Sequence, residues 1–454
     1  MDLSKLFDNN IFVIPVGHHW QIEDERLFLI YSPLNGHISL SGREGVERLS
    51  RCAEGIVDDE VQKKILNTFQ AKGSVPVMHM PDCSDDLYLI DILPNYTCNF
   101  NCVYCYSAAG RSNRQIDFED IRKLVDYLFN SEKKQKNPYI INFSGGGEPL
   151  LSFPIIRKTI EYIKSSNKGK AYKYSIGLVT NGSLITPEII DYFQKEQIDM
   201  AVSFEILERF QNAERGSYER VAANIDMMLA KGYPFGIRTT FTPDSVSSMT
   251  EMVQEVARRF PKLKTMVYDT VLAPAMFPTP QSLQNYYNAF LENFYKAKEE
   301  AKKYGINLES NAVETLSVIR DRTCQGKIVL TPEGTISCCA RVSSPQERLY
   351  NEYVFGETTH NGISFDEQHL DKIMSEYNIF SQEKCHSCFA KLNCGGGCRL
   401  FHHGFSPQFD DIRCDFAKKA LQIELLSLLS RQFFQSTGKN LNSYVNEKIA
   451  SGSI

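Results

Sequence analysis

A chain of 454 residues, 42 % hydrophobic and 23 % charged, is long enough for several domains and apolar enough to bury a large core. Its net charge of −5 argues against nucleic-acid binding as the main role, and no run of about 18 apolar residues offers a membrane span. The N-terminus, MDLSKLFDNN, lacks a basic stretch followed by an apolar one, so the chain is expected in the cytoplasm, where thirteen cysteines point to metal rather than disulfides.

In chain order, residues 1–84 open with short apolar alternations at Ile11–Pro15 and Leu27–Tyr31, followed by a turn at Ser32–Gly36. Helical patterns follow at Arg43–Cys52 and Asp58–Gln70. A β-hairpin with two helices is compatible with a winged-helix module, and equally with an embellishment of the next domain.

From residue 85 to about 310 the pattern alternates strand and helix. Strands are predicted at Leu87–Leu93, Tyr139–Phe143, Tyr174–Val179, Met200–Phe204, Gly236–Phe241 and Thr265–Leu272. Helices are predicted between them near Phe118–Phe129, Ile155–Ile163, Pro187–Gln194, Tyr218–Ala230 and Met249–Phe260, then at Leu283–Tyr304. Units of this kind imply parallel strands with crossover helices. Residues 311–420 read as largely irregular and hold eight of the thirteen cysteines. An amphipathic helix at Phe416–Phe434 leads into a frayed tail, making 421–454 a terminal appendage.

The first cysteine cluster is Cys98-Asn-Phe-Asn-Cys102-Val-Tyr-Cys105, directly after the first predicted strand of the repeat. Three thiolates on one loop suit a four-iron cluster with one iron left open, whereas structural zinc takes four closed ligands and no local fourth Cys or His is present. This CxxxCxΦC pattern, with Tyr104 as the aromatic, resembles the signature of the radical S-adenosylmethionine (SAM) superfamily. The resemblance continues downstream. Gly146-Gly147-Glu148-Pro149 is similar to the family's GGEP segment, which holds the SAM amino group. Thr180-Asn181-Gly182 resembles its TNG turn. Ser203 stands where relatives carry Ser-x-Asp-Gly, although Glu205-Ile206 replaces Asp-Gly here. Arg238 matches a basic position that pairs with the SAM carboxylate.

The resemblance implies a partial (β/α)6 TIM barrel with its site at the strand C-termini. It also implies a SAM-binding [4Fe–4S] cluster on Cys98, Cys102 and Cys105. SAM would be cleaved to methionine and a 5′-deoxyadenosyl radical that abstracts a substrate hydrogen. Contacts to SAM are implied for Tyr104, Gly146, Gly147, Glu148, Asn181, Ser203 and Arg238.

The second array is Cys324, Gly334, Cys339, Cys385, Cys388, Cys394, Cys398 and Cys414. Cys385–Cys398 alone is open to a zinc-ribbon reading. The complete spacing resembles the SPASM domain of radical SAM enzymes, which holds two auxiliary [4Fe–4S] clusters. By that resemblance Cys385, Cys388, Cys394 and Cys414 ligate the outer cluster, and Cys324, Cys339 and Cys398 the inner one. Leu330 stands where some relatives supply a fourth inner cysteine, which implies an open iron for a substrate thiolate. Cys52 and Cys83 are expected to be buried small hydrophobes. Cys338 is a possible spare ligand, although adjacent cysteines seldom both reach one iron.

SPASM enzymes mostly modify peptides, and Phe28–His37 with the helices after it resembles the PqqD-like leader-binding element of ribosomal-peptide maturases. That implies a crosslinking maturase, thioether ahead of carbon–carbon, acting on a precursor peptide with a leader and fed by an electron donor such as flavodoxin or ferredoxin. The alternatives are an anaerobic sulfatase-type maturase forming formylglycine, and a non-catalytic electron-transfer protein. Among Tyr268, Asp269 and Glu309 no catalytic base can be assigned.

Overall fold

The computed structural model describes residues 11–57, 59, 60, 62–64, 67, 75, 77–79, 81–130, 134–314 and 317–453. Three antiparallel strands open the chain: β1 (Phe12–Pro15), β2 (Leu27–Ser32) and β3 (His37–Gly42), in the order β1-β2-β3. The sequence reading had only the first two. Helix α1 (Arg43–Ala53) follows as expected, while most of the predicted 58–70 helix lies outside the described residues.

Strand alternation gives this small sheet two apolar faces. Phe12, Ile14, Leu27, Leu29, Tyr31 and Ile38 enter the main core of the molecule. Val13, Phe28 and Ile30 meet Val46 and Leu49 of α1. The Tyr31 hydroxyl, buried, donates to Asn393 at 3.0 Å, so the N-terminal sheet is anchored inside the distant cysteine-rich region.

The six predicted strand–helix units are all present. They run β4 (Leu89–Ile92), α2 (Phe118–Leu128), β5 (Tyr139–Phe143), α3 (Phe153–Ser166), β6 (Tyr174–Thr180), α4 (Pro187–Glu196) and β7 (Asp199–Ser203). The chain continues through α5 (Glu208–Glu214), α6 (Tyr218–Lys231), β8 (Phe235–Phe241), α7 (Met249–Arg259), β9 (Thr265–Thr270) and α8 (Pro280–Lys303). Helix starts follow capping chemistry: Thr186 and Thr279 cap the Pro-led α4 and α8, and Asp117 caps α2.

Strands β4 to β9 pair in parallel in chain order, so all the loops that leave them gather at one end. A short parallel strand β10 (Asn307–Glu309) extends one edge beyond β9. At the other edge β11 (Ile328–Leu330) pairs in parallel with β4. An antiparallel run follows through β12 (Thr335–Ser337), β13 (Val354–Thr359) and β14 (Gly362–Phe365). The sheet of eleven strands thus runs from β10 to β14 without closing, which is a partial barrel.

Two expectations about the C-terminal third change. Residues 311–420 contain four strands rather than mostly irregular chain, because β11 uses the open edge of β4 as a template. The tail is not frayed: a long helix α9 (Asp410–Thr437) turns at Gly438 into α10 (Leu441–Ala450). Phe416 of α9 packs 4.5 Å from Tyr287 of α8, joining this helix to the barrel wall. Among the described residues no helix is long and apolar enough to cross a membrane.

Candidate active site

The loop after β4 carries Cys98, Cys102 and Cys105, all half-buried and free of disulfides. Its own backbone shapes it: Tyr96 N–H donates to Arg114, the Thr97 hydroxyl to Ser112 (3.0 Å), and Cys105 N–H to Cys102. The Arg111 guanidinium reaches the Cys105 sulfur at 3.4 Å. Burial pushes the Cys98 and Cys102 thiols up, opposed by Arg111 at Cys98 and Arg215 at Cys102. The three thiols lie within electrostatic reach of one another.

Gly145 to Glu148 lies against this loop like an added strand. Gly147 N–H donates to Asn95 at 3.0 Å and Glu148 N–H to Thr97 at 2.8 Å. A Cβ on Gly147 would sit 1.9 Å from the Thr97 carbonyl oxygen, so only glycine permits the approach. The Glu148 side chain is 2 % exposed and accepts from Leu150 N–H (3.1 Å), the Thr180 hydroxyl (2.6 Å) and Asn181 N–H (2.8 Å). Its carboxylate therefore locks the end of β5 to the end of β6. Asn181 donates in turn to Asn99 at 2.9 Å, beside Cys98.

Ser203 and Arg238 are register neighbours on β7 and β8. Arg238 is partly exposed and pairs with Asp269 at 2.7 Å, and Asp269 also accepts from Asn311. Of the base candidates, Tyr268 is buried with its hydroxyl on the Met249 carbonyl, a structural role.

Tyr104 reaches across the barrel end. Its hydroxyl donates to Glu205 and accepts from Arg215 at 2.8 Å. Glu205 is buried, accepts from Thr240 N–H at 3.2 Å, and lies 3.7 Å from Arg215. Burial pushes its carboxyl up to about 8, against the Arg215 charge and the Tyr104 hydrogen bond. In the unfolded chain the same group ionises near the ordinary glutamate value, so the folded state binds the proton more tightly. Stability from this group is full below about pH 4.5 and declines as pH rises towards 8. Glu205→Gln is expected to flatten that decline, read as urea midpoints across pH 5–9.

Sequence reasoning missed Arg215, Arg111 and Asn99. None belongs to a spacing pattern. The one signal was the departure at Glu205-Ile206, where Ile206 adopts φ 61° in the left-handed region.

In the second array, Cys385, Cys388, Cys394 and Cys414 lie within electrostatic reach of one another, and so do Cys324, Cys339 and Cys398. Cys338, 3 % exposed, has its thiol in reach of Cys324 and Cys339. Gly395, Gly396 and Gly397 all have positive φ and carry the chain from Cys394 to Cys398. At Gly395 a Cβ would meet Thr323 N at 2.5 Å, beside Cys324.

The turn after Cys339 covers the first loop: the Tyr96 hydroxyl donates to Ser343 at 2.6 Å, and the Arg341 guanidinium lies 5.2 Å from the Tyr106 ring centroid. Among the described residues no three His, Cys, Asp or Glu side chains close on a single point as around one ion. A four-iron cluster presents separated irons, and three thiols on one loop, with Arg111 on the Cys105 sulfur, fit it.

Residues 92–256 match the radical SAM superfamily model. An uncharacterised protein of Methanocaldococcus jannaschii is 31 % identical over 170 residues, which is 35 % of this chain and 54 % of that protein. The chain thus spans about half the length of this curated relative. In fold, it is similar to anSMEcpe solved with bound AdoMet and the Kp18Cys peptide, with a TM-score of 0.59 at 15 % identity over 75 % of this chain and 98 % of that one. Streptococcus suis SuiB, solved with its precursor peptide SuiA, aligns at 13 % identity over 86 % of this chain and 96 % of that one, with a TM-score of 0.49. Around its first cysteine loop the chain carries a domain of the radical SAM superfamily, enzymes that use a [4Fe–4S] cluster and SAM.

Proposed function

We propose that this chain is a radical SAM peptide maturase that installs a crosslink in a ribosomally made precursor. The observation that carries the reading is the covering of the first cysteine loop by the turn after Cys339, through Tyr96–Ser343 and Tyr106–Arg341. It supports a second group of thiols, starting at Cys339, close to the loop where the radical would arise.

In this reading Cys98, Cys102 and Cys105 hold the SAM-binding cluster. The Gly146-Gly147 backbone faces the SAM amine, with Glu148 and Asn181 fixing its position. Arg238 would pair with the SAM carboxylate, Ser203 on the adjacent strand would help bind SAM, and Tyr104 would back the loop. Cys324, Cys339 and Cys398 hold the inner auxiliary cluster, and Cys385, Cys388, Cys394 and Cys414 the outer. When bound, cluster and SAM together supply a 5′-deoxyadenosyl radical for hydrogen abstraction.

A peptide substrate is supported by the peptide bound to anSMEcpe, a chain of like fold. The outer edge of β3, which pairs with no further strand among the described residues, suits strand addition by a leader. A flavodoxin or ferredoxin would deliver the electron. The formylglycine alternative leaves the N-terminal sheet without a role. Our preference for a thioether rests on an inner iron open to a substrate thiolate. Cys338 lies in electrostatic reach of Cys324 and Cys339, and a fourth ligand from it would favour a carbon–carbon link as the second reading.

The test uses the 454-residue chain, reconstituted anaerobically with iron and sulfide and given SAM, dithionite and short peptides encoded beside its gene. We expect 5′-deoxyadenosine and a peptide lighter by two hydrogens, with the bond located by fragmentation. No 5′-deoxyadenosine would end the radical SAM reading; an aldehyde in place of a crosslink would select formylglycine formation.

A further inference from the structure

We propose that Arg215 is a positioning residue of the cysteine-loop site, a locked and buried cation that offsets negative charge at Cys102. The inference rests on the reading of Cys98, Cys102 and Cys105 as cluster ligands.

Four observations hold the side chain in place. It is only 10 % exposed, with Glu205 at 3.7 Å. Its Nη1 donates to the Tyr104 hydroxyl at 2.8 Å, and its guanidinium carbon lies 5.9 Å from the centroid of that ring. Next to it, the Glu214 carbonyl accepts from Val103 N–H at 2.9 Å, tying the end of α5 to the residue after Cys102. Gln211 braces the segment from beneath, donating to Gly216 at 2.8 Å and accepting from Glu205 N–H at 2.9 Å. The Arg215 Nε–H is buried and finds no hydrogen-bond partner among the described residues, so this part of the fold keeps a donor it does not itself use.

The surrounding carboxyls do not cancel this charge. Glu214 turns its carboxyl to the Thr242 hydroxyl at 2.7 Å, and burial pushes its proton affinity up. Burial likewise lets Glu205 keep its proton near neutrality. A guanidinium stays charged throughout. Through Tyr104 and Val103, the two residues that follow Cys102, the loop is tied directly to Arg215 and Glu214. One-electron reduction by an external donor adds negative charge beside that loop. A fixed cation in a low-dielectric setting then favours the reduced form.

The experiment uses the reconstituted 454-residue chain in an anaerobic dithionite titration, following the EPR signal that changes on adding SAM. For Arg215→Gln we expect the iron content retained and the reduced-to-oxidised ratio at fixed potential lower by about tenfold, a shift of about 59 mV to more negative values for a one-electron couple. Arg215→Lys, which keeps the charge, should stay near the parent. An unchanged ratio in Arg215→Gln with the signal intact would overturn the inference. If Gln abolishes the signal, Lys decides: retention supports the charge account, and loss in both variants replaces it with a packing role. A parent chain with no SAM-responsive signal would instead remove the cluster reading itself.

Discussion

Replacing Cys98, Cys102 and Cys105 together with Ala should abolish SAM cleavage while leaving the rest of the molecule folded. The three side chains sit half-buried on one loop, and the backbone hydrogen bonds that shape the loop do not involve their sulfurs, apart from the contact between Phe100 N–H and Cys98. Reconstituted parent should bind roughly 10–12 irons and the triple variant roughly four fewer. Production of 5′-deoxyadenosine should fall to background, with the absorbance of the auxiliary clusters retained. Stoichiometric zinc and no SAM turnover in the parent would refute the assignment of both arrays at once.

Glu148→Gln should be the most damaging single isosteric change near the site. The carboxylate accepts three hydrogen bonds in a fully buried position, two from backbone N–H groups and one from Thr180. An amide of the same shape must turn an NH2 towards at least one of those donors. The expected cost is about 2–4 kcal/mol for a buried donor left facing a donor. Because the carboxylate joins the ends of β5 and β6, the loss should also loosen the glycine segment against the cysteine loop. We therefore expect a lower urea midpoint together with weakened SAM binding by calorimetry. A variant with parental stability and SAM affinity would show that the locking role of Glu148 is wrong.

Much of this architecture was legible in the linear chain, for local reasons. Period-two and helical apolar patterns located all six barrel strands and a helix after each, although the short α5 was missed and α8 begins at Pro280, ahead of the expected Leu283. The strand bounds differ by a residue or two, as hydrogen-bonded ends usually do. The four strands β11–β14 were not legible. Segments such as Ile328–Leu330 and Thr335–Ser337 are three residues each, too short for periodicity, and become strands only through the exposed edge of β4. The ordered α10 was missed because its burial depends on other parts of the fold, not on its own polar sequence.

The chain alone determined which thiols belong to the first loop, since a spacing of three and two residues confines Cys98, Cys102 and Cys105 to one short turn. It also determined that glycine must stand at 147, although the reason, the Thr97 carbonyl, is a tertiary neighbour. Only the folded molecule decided that Tyr104, Glu205 and Arg215 form one buried network, as their separation along the chain exceeds 100 residues between the first two. Only the fold, too, brought Cys338 to Cys324 and set the N-terminal sheet into the main core through Tyr31 and Asn393. The physical reason is common to these cases. Spacing constrains groups that share a turn or a strand, whereas long-range pairs are selected by burial, which favours those polar groups that find partners once water is gone.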